Sequence, residues 1–194
     1  MLALARKGVM MLLFSLSFAY AKNLRTIVSN LKKSNRPIVI DWDGTCTVFA
    51  YPYYKSDVDG RLTPNFLGGL LPCADADVDR YSLTHDIYAP NSCKIIKSMQ
   101  YLIKKMSAAN VYILTRTDPN VVENKNACIF RNFPSINKEN VIHVLNAADK
   151  IDVLRDIGKK HNAKPVFIED TFKTILNAEE ADVAIGLHMS YFLV

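Results

Sequence analysis

Apolar positions along this chain fall into short blocks whose period switches between that of a helix and that of a strand. Leu24, Ile27, Val28 and Leu31 recur at helical spacing, Lys32 and Lys33 close that segment, and Pro37 stops it. "PIVID", Pro37 to Asp41, is β-branched and nearly continuous in apolar residues, which predicts a short strand covered on both faces. Ile95, Ile96, Met99, Leu102, Ile103 and Met106 form one helical stripe, and Pro90-Asn91-Ser92 reads as its start signal, so the spacing predicts a helix from Ser92. "NVYILTRTD", Asn110 to Asp118, is the next buried strand, and Asp118-Pro119 opens a helix through Arg131. "NVIHVLN", "KPVFIED" and "DVAIGL" predict three further strands, separated by the helices "ADKIDVLRDIGKKH" and "TFKTILNAEEA". Strand and helix alternate at short spacing, the pattern of an α/β fold built on a doubly wound parallel sheet.

One stretch breaks the alternation. Phe49 to Pro90 holds Pro52, Pro64, Pro72, Gly60, Gly68 and Gly69 with many aromatics and aspartates, and sustains neither period. An irregular insertion of that length in a compact domain is commonly a lid or binding loop, and it is expected to cover the strand ends. Length and composition are those of one globular domain, expected over residues 22–194. The first residues carry Arg6 and Lys7, an apolar run to about Phe18, then Ala19-Tyr20-Ala21, the layout of a signal peptide over residues 1–21. Cleavage would make the protein exported, periplasmic or secreted, with no stable membrane span left; without cleavage it would be cytoplasmic. The net charge of +5 is spread along the chain. It forms no Lys/Arg cluster of nucleic-acid-binding density and suits a small anionic substrate.

Cys46, Cys73, Cys93 and Cys128 include no C-x-x-C pair, which argues against zinc. Export would permit disulfides, with Cys73–Cys93 tying down the insertion and Cys46–Cys128 meeting at the strand ends as one arrangement among three; free buried thiols are the alternative.

Ligands of such sheets bind beyond the carboxyl ends of the strands. There the sequence sets Asp41 and Asp43 after the first strand, Thr115 after the second, Lys150 at a following helix start, and Glu169-Asp170 after the fourth. Two acidic clusters brought together repel unless a cation joins them, and an all-oxygen site of this kind suits Mg²⁺. A hydroxyl and an ammonium on the same rim supply donors for an anion, so the set describes a phosphate site.

"IVIDWDGT", "VYILT", Lys150 and "VFIED", in that order and spacing, resemble the four motifs of the haloacid dehalogenase (HAD) superfamily of phosphatases. The resemblance runs from about Pro37 to Leu187 apart from the insertion. It implies a Rossmann-like core with a small irregular lid over about residues 49–90, and Mg²⁺-dependent hydrolysis of phosphate monoesters. Asp41 would be the nucleophile that takes up the phosphoryl group, and Asp43 the general acid and then base. Mg²⁺ would be held by Asp41, the backbone carbonyl of Asp43 and Asp170, with Glu169 in support. Lys150, Thr115, Arg116, Gly44 and Thr45 would cradle the phosphate, Gly44 by letting the backbone turn tightly. The substrate would be a small phosphate ester or nucleotide. Phosphotransfer, nucleic-acid end dephosphorylation and a non-catalytic binding module remain alternatives on the same scaffold. Cys46 and the Glu-Asp pair depart from the commonest forms of the motifs, and Lys159, Lys160 or Lys164 could replace Lys150.

Other patterns carry less. "DVDGR", Asp57 to Arg61, follows no apolar strand and reads as a turn in the insertion. "DADVD", Asp75 to Asp79, has Arg80 where a calcium loop needs Gly. His85, His143, His161 and His188 form no metal spacing, and His143 lies within a strand. Phe49, Tyr51, Tyr53 and Tyr54 follow the first motif closely and either pack the insertion onto the domain or stack on a substrate ring. No G-x-S-x-G, P-loop or H-E-x-x-H sequence occurs.

Overall fold

The computed structural model describes residues 24–49, 86–90 and 92–192. The signal segment, Cys73, Tyr51, Tyr53, Tyr54 and the two Asp-rich turns lie outside the described residues. In chain order the elements are α1 (Leu24–Ser34), β1 (Ile38–Ile40), β2 (Thr47–Phe49), β3 (Cys93–Ile95), α2 (Lys97–Lys105), β4 (Val111–Arg116), α3 (Val122–Asn132), β5 (Val141–Val144), α4 (Lys150–His161), β6 (Val166–Glu169), α5 (Phe172–Glu180) and β7 (Ile185–His188).

Five strands pair in parallel in the order β5-β4-β1-β6-β7. Ile38 stands between Val111 and Val166, and Ile40 between Ile113 and Ile168. Side chains alternate across a strand, so these six residues share one face, where they pack with Val28 and Leu31 of α1, Met99 and Leu102 of α2, and Cys128 and Ile129 of α3. Val39, Tyr112, Leu114 and Phe167 take the opposite face with Leu154 and Ile157 of α4 and Ala178 of α5. The continuous apolar runs of β1, β4 and β6 are thereby explained: a strand covered on both sides needs apolar residues at every position.

Strand pairing and turn geometry change two expectations. The helix predicted from Ser92 begins at Lys97, because Cys93–Ile95 pair antiparallel with Thr47–Phe49 and the Ile96 N–H donates to the Cys46 carbonyl at 2.9 Å. Ile95 and Ile96 fit a strand and a helix equally well, and a partner strand 46 residues away decides between them. The insertion is therefore entered and left through a two-stranded ribbon. Its last described residues are packed, with Ile87 and Tyr88 buried against the core. Finally, β7 runs Ile185–His188, later than the "DVAIGL" block, because Asp182 takes a left-handed conformation (φ 57°) just after α5.

From β1 the chain moves across to β4, whereas from β6 it moves the other way to β7. The crevice at such a reversal point lies outside the carboxyl ends of β1 and β6. No helix among the described residues is long and apolar enough to cross a membrane.

Candidate active site

The loop after β1 is built around Trp42. The Asp41 N–H still donates to the Ile168 carbonyl at 2.9 Å, a last rung of the sheet, and the chain then turns. Trp42 is wholly buried with Phe133 edge-on to it at 5.8 Å. Its carbonyl accepts from the Cys46 N–H, the Thr47 N–H and the Thr47 hydroxyl. That anchor spaces the two aspartates at the strand end. Gly44 has φ +77°, a conformation disfavoured with a side chain, and a Cβ there would run into the Asp170 carboxylate. Thr45, also buried, donates its hydroxyl to Asp170 Oδ1 at 3.1 Å.

Lys150, the first residue of α4, is buried and donates to Asp41 Oδ1 at 2.7 Å and to Glu169 Oε2 at 2.8 Å. The Asp149 and Asn146 capping box just before it fixes where the helix starts and hence where this ammonium points. Burial opposes the charged form of Lys150, but Asp41 and Glu169 outweigh it and hold the ammonium firmly protonated. Glu169 is likewise resisted by burial yet held below its ordinary range by Lys150, by Asp170 and by the Thr171 N–H, which donates at 3.2 Å. Asp41 behaves differently: burial and the charge of Glu169 push it up to about 7 despite Lys150. Asp170 is pushed up as well, by burial and then by Glu169 and Asp41.

Asp43 lies on the other side. Its Oδ2 accepts from Lys125 Nζ at 2.6 Å, and Tyr88 Oη donates to its two carboxylate oxygens at 3.3 Å each. Lys125, on α3, is 1% exposed, and it also donates to the Arg116 carbonyl at 2.8 Å and to Thr115 Oγ1 at 3.2 Å. Its ammonium lies over the Tyr88 ring, 5.2 Å from the centroid. Thr115 is buried at the end of β4, and the next side chain, Arg116, is exposed.

Asp41, Glu169 and Asp170 each offer a carboxylate oxygen, all within 4.8 Å of one another. Three carboxylates against one ammonium leave an excess of two negative charges, which adds to burial in pushing Asp41 and Asp170 up. A divalent cation fits this donor set: it would replace the protons, and oxygen-only ligands suit Mg²⁺. The Asp43 carboxylate, engaged by Lys125, is not part of this group.

The strand-end residues expected from sequence thus meet in two linked halves, Asp41-Lys150-Glu169-Asp170 and Asp43-Lys125-Thr115. Lys125 and Tyr88 were not anticipated. Lys125 had a visible signal, since it falls three and four residues before Cys128 and Ile129 on the apolar stripe of α3, where lysine is out of place. Tyr88 had none. His188, read as scattered, donates from Nε2 to the Asp170 carbonyl at 2.7 Å while Nδ1 accepts from the Ser190 hydroxyl. His143 does lie in a strand, bonded to Thr117 and Asn126. Lys159 and Lys164 pair instead with Asp156 and Asp182 at the surface.

The cysteine pairing also differs from expectation. Cys128 Sγ lies 3.1 Å from Cys93 Sγ, both buried, so Cys128 meets β3 rather than Cys46. The reason is the β2–β3 ribbon, which carries Cys93 onto α3. No protein-family model, curated protein or solved structure matches the chain.

Proposed function

We propose that the protein is a Mg²⁺-dependent phosphomonoester hydrolase of the HAD type, acting through a phosphorylated Asp41 on a small phosphate ester or nucleotide. The observation that carries this reading is the buried Lys150 joined to both Asp41 and Glu169, with Asp170 beside them. Carboxylates from two strand ends converge there with a cation on the side of the sheet where α/β proteins bind ligands.

Asp41, Glu169 and Asp170 would hold the metal, which when bound supplies charge stabilisation to a transferring phosphoryl group. Lys150 keeps the Asp41 carboxylate oriented through Oδ1, leaving Oδ2 to form the bond to phosphorus. As that bond forms, the ester P–O bond breaks, its electron pair stays on the leaving oxygen, and Asp43 gives that oxygen its proton. Asp43 then takes a proton from water, the water oxygen bonds to phosphorus, and the Asp41–phosphorus bond breaks to release inorganic phosphate. Thr115, Thr45 and the backbone at Gly44 border the place where the phosphate oxygens would lie.

The test is hydrolysis of p-nitrophenyl phosphate by residues 22–194, with Mg²⁺ and with EDTA, beside Asp41→Asn. Mg²⁺-dependent turnover that falls by about 10⁴-fold or more in the variant is the expected result, as for removal of a nucleophile. Equal inertness of the two folded proteins on this and on a panel of phosphate esters would defeat the reading.

A further inference from the structure

Lys125 belongs to none of the four motifs, yet it is the most deeply buried charged side chain at the site. Its three N–H bonds go to three acceptors, Asp43 Oδ2, the Arg116 carbonyl and Thr115 Oγ1. An ammonium so enclosed cannot reach a substrate, so any effect on chemistry passes through its partners. We propose that Lys125, assisted by Tyr88, is the positioning residue that aims Asp43 and Thr115 at the same phosphate ester. The inference rests on the phosphatase reading and deepens it.

Two consequences follow from the bonding. On Asp43, Oδ2 is taken by Lys125 at 2.6 Å, so Oδ1 is the oxygen left to carry a proton to the leaving group. Tyr88 Oη spans both carboxylate oxygens and holds the plane of the group. Tyr88 is itself seated by Arg131, whose Nη2 donates to the Tyr88 carbonyl at 2.8 Å, and by the cation over its ring. Without these contacts Asp43, whose side chain is 35% exposed, would rotate freely into solvent. On Thr115, the oxygen accepts from Lys125, so its own proton is available to donate. That proton goes to the Arg116 carbonyl at 3.3 Å, a long bond that a phosphate oxygen could replace.

The experiment compares kcat/KM for an alkyl phosphate, 2-glycerol phosphate, with that for p-nitrophenyl phosphate, in wild type, Lys125→Met, Tyr88→Phe and Thr115→Val. An alkoxide needs its proton as it leaves and p-nitrophenolate does not, so the ratio of the two kcat/KM values reads the aim of Asp43 alone. Lys125→Met is expected to lower both values through Thr115 and to lower the alkyl-to-aryl ratio by a further ten- to about 100-fold, the lower range of general-acid catalysis. Tyr88→Phe should lower the ratio by a smaller factor with little change for the aryl ester. Thr115→Val should lower both values and leave the ratio alone. An unchanged ratio in both Lys125→Met and Tyr88→Phe would overturn the proposal, and Tyr88→Phe decides alone if Lys125→Met fails to fold. Wild-type protein inert on both esters would instead defeat the phosphatase reading, and the positioning role with it.

Discussion

Two single positions test the site, one its charge balance and one its geometry. Replacing Lys150 by Met leaves Asp41 and Glu169 buried without their ammonium, and losing one partner of a buried pair costs about 3–5 kcal/mol. Asp41 is already pushed up by burial and loses with Lys150 the charge that held it down, so in mild acid it is protonated and the penalty shrinks there. Urea melts of Lys150→Met are therefore expected to show a larger loss near about pH 8 than near about pH 5. Gly44→Ala tests geometry: the left-handed backbone costs roughly 1–2 kcal/mol, and the new Cβ displaces Asp170. A lowered thermal midpoint together with weakened Mg²⁺ binding by calorimetry is expected. Lost stability with unchanged metal affinity would detach Asp170 from the metal set.

At the scale of elements, the β2–β3 ribbon links the insertion to α3 through Cys93 and Cys128. The Cys128 thiol is held below its ordinary range by its contact with Cys93 and by Arg131, while burial and that same contact raise Cys93. Two thiols 3.1 Å apart are suited to forming a disulfide when a disulfide oxidant such as oxidised glutathione removes the two electrons. Mass spectrometry after oxidation and alkylation should find Cys93 and Cys128 joined and Cys46 free as a buried thiol. The cross-link should raise the thermal midpoint by closing a 35-residue loop, an entropic gain of roughly 3–4 kcal/mol in the chain-entropy picture. Alkylation of both residues after oxidation would refute the pairing.

Among the described residues, the buried carboxylates with raised values gather at one place, the reversal point of the sheet. Asp41 and Asp170 both have raised folded-state values, so the stability they contribute is present below the ordinary aspartate range and is lost as pH rises, for Asp41 through about 7. A divalent cation bound there would remove that loss by replacing the protons. The midpoint of EDTA-treated protein is thus expected to fall between about pH 5 and about pH 8, and Mg²⁺ to raise it more at the higher pH. At a concentration 100 times its dissociation constant the ion would add about 2.7 kcal/mol. Mg²⁺ without effect on the midpoint at either pH would refute the metal assignment.

The alternation of apolar blocks was enough to read the parallel sheet, because strands covered on both faces must be apolar throughout and their helices need one stripe each. The carboxylates and Lys150 were legible for a related reason: polar residues at successive strand ends of such a sheet have only one edge to occupy. Three features depended on contacts between distant residues. The strand Cys93–Ile95 exists because Thr47–Phe49 pairs with it, the thiol of Cys128 meets Cys93 because of that ribbon, and Tyr88 reaches Asp43 across 45 residues. Lys125 was visible as a misplaced charge on an apolar stripe, but only the tertiary structure brought it to Asp43 and Thr115. Periodicity records which face of an element is buried; which partner waits there is decided by packing.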